Sequence, residues 1–382
     1  GNTMISNVRT IAYAPAEQMI AVTGVNNGIN NAAVTATSGV GNGVWVAGGD
    51  GTNSLVFSYD GISWSEVPNS LTILSSCNAC AFGNGIFIAG GAAANVTNAV
   101  DITANMVYST DGINWQPIRG SIGRIVSGVP IKSITYGRDE TGRGLWVAGA
   151  GGSTTVSLLY SYNGIDWVGV VNSGTNLSAT INSIAYGVST STGQGLWVAS
   201  VFRNAGYSFL FSTNGRDGWT AVSNTKTALF ETGSGGSTGI AYLNGVWYAT
   251  GLSAGVSTGR TLAYSYDGSG GWFGVYPTTN VYGSTLTTFS LTDMRCVATT
   301  NDYMIPIGAS AGATTTTGIA ADTFSPSSLV PVRSIGWTAG IGSAYLQHPT
   351  LLIGTDNTRA NTVSTMISAD GGRTWGGRDR KS

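Results

Sequence analysis

The heptapeptide SYDGISW at positions 58–64 decides the fold, because near copies of it recur along the chain, such as STDGINW at 109–115 and SYNGIDW at 161–167. The tryptophans that end the copies are Trp64, Trp115, Trp167, Trp219, Trp272 and Trp375. The first five lie 51 to 53 residues apart, and the last gap of 103 is about two periods. A degenerate copy is therefore expected at AADTFSP (320–326). Such a fixed period predicts a chain of repeated structural units.

Each period holds four short apolar runs. In the third unit these are IKSITY (131–136), LWVAG (145–149), SLLYSY (157–162) and DWVGVV (166–171). They are rich in β-branched and aromatic residues and are bounded by Gly, Asn or Asp, as strands are. Four antiparallel strands at this period are typical of a β-propeller. The sequence predicts one all-β domain over 1–382, with units ending near 64, 115, 167, 219, 272, 324 and 375. Seven four-stranded blades are expected, with eight as the alternative.

The N-terminal segment allows two interpretations. Residues 7–24 read as a first and a second strand, but residues 31–49 can also supply both strands of the first unit. Residues 1–30 are therefore either part of a first blade that carries an insertion at about 25–43, or extra strands. In both cases we expect the ring to close by pairing of the two chain ends.

The repeated heptapeptide is best explained as a turn. Asp60 can accept hydrogen bonds from the backbone N–H groups that follow it, Gly61 supplies positive φ, and Trp64 packs a large ring. Asn replaces Asp in two copies, which keeps the acceptor and loses the charge, so the role is structural rather than catalytic. The structural residues are these tryptophans together with Asp60, Asp111, Asn163, Asn214, Asp267 and Asp370.

The final copy, SADGGRTW (368–375), reads Ser-x-Asp-x-Gly-x-Thr-Trp. It resembles the Asp-box, or BNR repeat, of sialidases and many unrelated propellers. The resemblance implies a propeller fold but no single function, because the motif also occurs in sorting receptors, assembly factors and viral or phage surface proteins. The shorter form with xWVAGG strands is most similar to propellers of large DNA viruses and phages.

Composition narrows the classes of partner. Charged residues make 9% of the chain, against roughly 25% in average domains, and the net charge is −1. We expect no nucleic-acid partner, because a basic footprint is missing, and no membrane insertion, because no apolar run approaches about 18 residues. The C-x-x-C at Cys77 and Cys80 would place the two thiols on opposite faces of a strand. With His348 the one histidine, we expect packing cysteines, no metal and no cofactor.

Candidate binding residues come from aligning the first strand of each unit on its IAY-like phrase. The residues two positions ahead of the Ile are Arg9, Asn78, Lys132, Asn182, Thr238, Arg295 and Arg333. Four are basic, in a chain with only 17 Lys and Arg. At the mouth of a propeller channel, Arg9, Lys132, Arg295 and Arg333 would bind an anionic ligand such as an acidic glycan. The alternative is that these residues cap strands or pair with acids such as Asp293.

Enzymatic activity is the alternative function. Sialidases use an Arg triad, a Tyr paired with a Glu, and an Asp acid/base, and the resemblance implies that Arg9, Arg295 and Arg333 could match the triad. The surrounding VRTI (8–11) departs from the sialidase phrase, however, and Glu231 is the one acid placed as a partner. Glycoside hydrolysis also needs two carboxylates across a cleft, and sequence alone cannot place such a pair.

The main hypothesis is therefore a non-catalytic structural or recognition module that binds glycan or protein, on a virion or extracellular surface. Its irregular loops at 92–105, 150–156, 200–208, 251–260 and 276–290 differ in length while the strands stay constant. Binding commonly resides in such loops. Tyr207, Tyr276 and Tyr282 lie in them and are not needed by the repeat, so they are candidate binding residues.

Overall fold

A computed structural model describes most of the first 275 residues and short strands beyond them. The described residues are 4–15, 43–61, 63–94, 104–118, 129–151, 156–170, 180–189, 192–202, 207–222, 229–230, 236–243, 245–251 and 262–275. Backbone strands alone are described at 293–299, 304–309, 332–337, 351–355, 365–368 and 376–377. The degenerate repeat at 320–326, together with Asp370 and Trp375, lies outside the described residues.

The described residues form seven antiparallel sheets, numbered here in chain order. Their first strands are Asn7–Ala14, Leu74–Gly83, Ile131–Arg138, Thr180–Val188, Ser237–Leu243, Asp293–Thr299 and Val332–Trp337. Their second strands are Val44–Asp50, Ile86–Ala93, Gly144–Ala150, Gly195–Phe202, Val246–Gly251, Met304–Ala309 and Leu351–Thr355. These two sets form the inner half of every sheet.

Six of the sheets have two further described strands. The third strands are Leu55–Ser58, Met106–Ser109, Leu158–Ser161, Phe209–Ser212, Leu262–Ser265 and Thr365–Ser368. The fourth strands are Ser65–Glu66, Gln116–Pro117, Val168–Gly169, Thr220–Ala221, Phe273–Val275 and Gly376–Gly377. The helix Ser70–Ile73 joins the first two sheets, and the described part of the chain holds no helix long and apolar enough to cross a membrane.

The sheets are arranged as a propeller. The first strand of each sheet contacts the first strand of the next, and the first strand of the seventh sheet contacts that of the first. The expected pairing of the two chain ends within one sheet is not found among the described strands. Every sheet is built from consecutive strands, so the ring closes by contact between sheets. The number of blades stays a prediction, because residues 16–42 and 310–331 lie outside the described part.

The first sheet bears on the two interpretations of the N-terminus. Asn7–Ala14 pairs directly with Val44–Asp50, from Asn7 opposite Asp50 to Ala14 opposite Val44. Residues 7–14 are therefore the first strand of the first sheet, and the second strand begins at Val44. Residues 16–42, which include most of the insertion expected at about 25–43, lie outside the described residues.

The core lies between neighbouring sheets and is built mainly from the aromatic residues of the repeat. Trp146, Trp197 and Trp247, from the second strands, are fully buried. Each packs on a tyrosine of its own first strand at 4.8–4.9 Å between ring centroids. A Cβ on Gly137 would lie 2.4 Å from Cγ of Tyr186, which belongs to the next sheet. Glycine is needed there because a tyrosine of one sheet packs on the backbone of its neighbour.

The repeated heptapeptide forms the same turn in the five sheets that describe it. In the third sheet, Ser161 Oγ accepts the Gly164 N–H at 2.9 Å and donates to Asn163 Oδ1 at 3.1 Å. Asn163 Oδ1 then accepts the N–H of Asp166 at 2.8 Å. The glycines have φ between 71° and 78° in all five turns, and the serines at the centre of the turn are at most 1% exposed. The predicted acceptor and glycine roles are confirmed, and the serine is the central group.

Acid and amide exchange places within this turn. In the second sheet the Asn114 side-chain amide donates to the Asp111 carboxylate at 2.7 Å. In the third sheet the order is reversed, and Asn163 donates to Asp166 at 2.8 Å. Asn214 and Asp217 repeat the reversed order at 2.6 Å. These three turns each keep one acid and one amide in contact, whereas Asp60 and Asp267 accept the backbone N–H groups of Ser63 and Gly270 at the same place. Asn can replace Asp at the third position because both supply the acceptor oxygen.

Candidate functional site

Strand direction divides the molecule into two faces. Each first strand ends in a connection to the second, and each third strand ends in the repeated turn, so both connections lie on one face, called here the turn face. The connections between second and third strands and between successive sheets lie on the opposite face, called here the loop face. The irregular loops identified from the sequence begin and end there, and so does the start of every first strand.

The seven aligned residues share one backbone feature, which is a break in the pairing of the first strand with the second. The pairing skips Arg9, Asn78, Lys132, Asn182, Thr238, Arg295 and Arg333. Each is the extra residue of a β-bulge. A bulge re-aims its side chain out of the normal alternation between the two faces of a sheet. Consistent with this, Asn78 is partly exposed, while Cys77 before it and both Ala79 and Cys80 after it are buried.

Arg9 is held by two partners, one in its own sheet and one in the next. Its Nε lies 3.0 Å from Asp50 Oδ1, on the second strand of its own sheet. Its Nη1 donates to Asn78 Oδ1 at 2.6 Å, on the bulge of the next sheet. About a third of the Arg9 side chain stays exposed. The guanidinium therefore has a structural role in joining two sheets, through one hydrogen bond to Asn78 and one ion pair with Asp50.

The same direction of contact continues around the ring. Asn78 Nδ2 donates to the Ile131 carbonyl of the third sheet at 2.9 Å. Asn182 Nδ2 donates to the Ser237 carbonyl of the fifth sheet at 3.2 Å. Each bulge amide thus reaches the residue immediately before the next bulge. This agrees with the structural interpretation of the amides and fixes the spacing of adjacent bulges.

Hydroxyl groups just after the bulges bond to the exposed edge of the next first strand. Cys80 N–H donates to Thr10 Oγ1 at 2.8 Å, and Ile184 N–H donates to Ser133 Oγ at 3.0 Å. An edge strand presents unpaired backbone groups, and these hydroxyls satisfy some of them. They were not recognised from the sequence, although the recurring Ser or Thr before the Ile was a visible signal.

Lys132 differs from Arg9 in having no counter-ion among the side chains that the structure describes. Among the described residues, no hydrogen bond or ion pair is made by its ammonium group, and its Cε packs near Gly151. Burial lowers the pKa of Lys132, and the nearby charge of Arg9 lowers it further. Two like charges therefore share this part of the loop face, and only one of them is neutralised by a described carboxylate.

The structure describes the remaining predicted binding residues only in part. Arg295 and Arg333 occupy bulges in the first strands of the sixth and seventh sheets, with only their backbone described. Tyr207 is partly buried and packs against the core between the third and fourth sheets. Tyr276 and Tyr282 lie outside the described residues. Asp293 is also described only by its backbone, so its pairing with the basic bulge residues stays a prediction.

The two cysteines correct one sequence argument. Cys77 and Cys80 were expected on opposite faces of a strand, but both are buried in the core between the first and second sheets. The bulge at Asn78 lies between them and shifts the alternation by one residue. Both thiols are free, and burial raises the pKa of Cys77 to about 12. Their packing role is confirmed, and the described residues hold no cluster of metal-binding side chains.

A charged group on the turn face was not anticipated. Asp139 caps the loop between the first two strands of the third sheet and accepts the Tyr162 hydroxyl at 3.1 Å. Arg143 lies 3.9 Å above the Tyr162 ring, and Arg216 of the fourth sheet pairs with Glu140. Burial raises the pKa of Asp139, but hydrogen bonds from Thr141, Arg143 and Tyr162 lower it to below its ordinary value overall. These charges neutralise one another, so the group is structural.

The arrangement of sheets around a ring defines a β-propeller, and comparison with known structures agrees. An ancestral GH74 enzyme is 15% identical and covers 95% of this chain with a TM-score of 0.57. The GH74 enzyme of Niastella koreensis is 14% identical over 99% of the chain (TM-score 0.45), and the Dos1 propeller is 9% identical over 96% (TM-score 0.48).

The matches cover only part of the known enzyme chains. This chain covers 44% of the ancestral enzyme, 46% of the Niastella enzyme and 82% of the Dos1 chain. It thus spans less than half the length of these GH74 enzymes. No protein-family model and no curated protein matches the chain. At such low identity the similarity shows the propeller fold alone.

Proposed function

We propose that the protein is a non-catalytic recognition module that binds a glycan or a protein through its loop face. The observation that carries the proposal is the difference between the two faces. The turn face repeats one hydrogen-bonded turn in sheet after sheet, whereas the loop face combines loops of unequal length with polar side chains aimed out of the bulges. Variable loops on a rigid scaffold are the usual location of binding sites.

Candidate ligand-binding residues on this face are Arg9, Lys132, Arg295 and Arg333 at the bulges and Tyr207, Tyr276 and Tyr282 in the loops. A chain so poor in charge, with a surface rich in Gly, Ser, Thr and Asn, suits a virion or extracellular setting, and the Asp-box resemblance is consistent with this. The proposal needs no cofactor.

A glycan microarray tests the proposal. Sialylated, sulfated, uronate-containing and neutral glycans are probed with the wild type, with a variant whose residues 96–102 are replaced by a Gly-Ser linker of equal length, and with Arg143→Gln on the turn face. We expect selective binding that the loop replacement reduces and Arg143→Gln leaves unchanged. Equal loss in both variants, or binding that survives loop replacement on every loop in turn, would contradict recognition by the loop face.

Sialidase-like hydrolysis remains the alternative. It requires a second carboxylate near the bulges, since glycosidases use a carboxylate pair. Asp50 is the carboxylate that the described side chains place there, and it is paired with Arg9. Incubation with a fluorogenic sialoside and a panel of aryl glycosides separates the two functions, because the recognition module is expected to release no fluorophore.

A further inference from the structure

The loop face contains a cation, Lys132, that has no counter-ion among the described residues. Arg9 and Lys132 are the basic side chains that the structure describes on this face. Arg9 is paired with Asp50, whereas Lys132 has no partner among the described residues and is partly buried. A partly buried cation without a partner costs free energy of folding. Such a group is expected where an anion from outside supplies the missing charge.

The contacts between sheets bring this cation close to Arg9. Arg9 bonds to Asn78, and Asn78 bonds to the carbonyl of Ile131, the residue immediately before Lys132. The two contacts, at 2.6 and 2.9 Å, connect the bulges of the first three sheets in one series. Because Asp50 and Asn78 fix the guanidinium, its remaining N–H donors are oriented before any ligand arrives. Pre-organised donors of this kind bind carboxylate and sulfate groups well.

The bulge positions around the ring are a mixture of cationic and neutral polar residues. Asn78, Asn182 and Thr238 are all partly exposed, and the backbones of Arg295 and Arg333 occupy the bulges of the sixth and seventh sheets. Amide and hydroxyl groups are suited to sugar hydroxyls, so this mixture of cationic and neutral polar positions matches a sugar that carries an acidic group.

We infer that the loop face binds an acidic glycan, with one carboxylate or sulfate group held between Lys132 and the fixed guanidinium of Arg9. The inference rests on the proposed function and specifies the ligand class of the same face. Lys132 neutralises the anion, Arg9 supplies oriented donors, and the amide of Asn78 positions Arg9.

Isothermal titration calorimetry with three tetrasaccharides tests this assignment. The probes are a hyaluronan tetrasaccharide with glucuronate, a chondroitin sulfate tetrasaccharide, and neutral chitotetraose. They are titrated into wild type, Lys132→Met, Lys132→Arg and Arg143→Gln. Lys132→Met removes the charge and keeps most of the apolar stem, Lys132→Arg keeps the charge, and Arg143→Gln removes a cation from the opposite face.

We expect an acidic probe to bind about tenfold more weakly to Lys132→Met, since a charge-assisted contact is lost. Lys132→Arg should retain most of the affinity, and Arg143→Gln all of it. Circular dichroism and thermal unfolding confirm that each variant is folded.

Other outcomes overturn the inference in distinguishable ways. If the neutral probe binds as well as the acidic ones, or if Lys132→Met leaves acidic binding unchanged, the anion site is wrong while recognition by the loop face stands. If no tetrasaccharide binds at millimolar concentration and the microarray is also negative, both proposals for glycans fail. If a capped Asp- and Glu-containing peptide binds in a Lys132-dependent way and the glycans do not, the anion comes from a protein and the glycan assignment is wrong.

Discussion

The turn face and the loop face of this propeller are stabilised by different kinds of contact, although the same strands form both. On the turn face, side chains satisfy backbone groups within a few residues of themselves, as Ser161 does for Gly164. On the loop face, the bulge side chains reach into the next sheet, as Arg9 does to Asn78, 69 residues away. Local contacts can be repeated in every unit without change. Contacts between sheets depend on which residue the neighbouring unit offers, so that face can vary.

The largest effect is expected from disturbing a turn glycine. Gly164 has φ of +78°, and a Cβ there would lie 2.6 Å from Cδ1 of Ile88. In Gly164→Val, a β-branched residue in the left-handed region adds backbone strain to overpacking, so we expect the free energy of unfolding to fall by about 3 kcal/mol. Chemical denaturation measures it. A loss below about 0.5 kcal/mol would show that the turn face tolerates change as readily as the loop face.

The turn serine should have the next largest effect. Ser161→Ala leaves the buried N–H of Gly164 without its acceptor, which we expect to cost about 1–3 kcal/mol. Ser75→Ala is the matched control, because Ser75 is an exposed serine whose hydroxyl bonds to carbonyls on the adjacent strand. Equal losses of unfolding free energy in the two variants would show that the buried turn hydroxyl matters no more than an exposed one.

The acid and amide pair of the turn gives a smaller, reversible effect. Asn163→Asp places a second carboxylate beside that of Asp166. We therefore expect the free energy of unfolding to fall by about 0.5–1 kcal/mol at neutral pH. Adding Asp166→Asn recreates the order seen at Asp111 and Asn114 and should restore stability. A double-mutant cycle by thermal unfolding measures the coupling. Additive losses would show that the exchange of places between sheets has no energetic basis.

On the loop face, Lys132→Met should not destabilise the fold and is expected to stabilise it slightly. Burial lowers the Lys132 pKa from its ordinary 10.5, so the charged form is disfavoured in the folded state at neutral pH. This cost disappears as the pH rises from the lowered folded pKa towards 10.5. The advantage of Lys132→Met over wild type should therefore shrink in alkaline buffer.

Unfolding curves of the two proteins at pH 7 and pH 10 provide the measurement. An advantage that grows with pH would mean that Lys132 has an anionic partner within the folded chain, which would also remove the reason for an external anion.

Several features of the fold could be read from the sequence because they are local. The turn chemistry of Asp60 and Gly61 lies within one heptapeptide, and the strands follow from short apolar runs between turn residues. The alignment on IAY also selected the same backbone position in every first strand. It did not reveal that this position is a bulge, because a bulge is defined by the pairing of two strands and leaves no fixed residue type behind.

The predictions that were wrong concern features that depend on contacts between strands or between sheets. Cys77 and Cys80 were assigned to opposite faces by simple alternation, which the bulge at Asn78 interrupts. Closure by pairing of the chain ends was expected from the usual behaviour of propellers, whereas the first and last sheets are each complete in sequence order. Trp64 was expected to bury its ring, but it is only partly buried, unlike Trp167 of the third sheet.

The sequence by itself determined the period, the strand-rich units and the turn that joins their outer strands, because each depends on residues that are neighbours along the chain. Tertiary structure alone decided that Arg9 is neutralised by Asp50, that Asn78 connects it to the third sheet, and that Lys132 has no partner within the described part of the chain. Those facts depend on how one sheet meets the next, and residues that meet there are separated by a full repeat of the sequence.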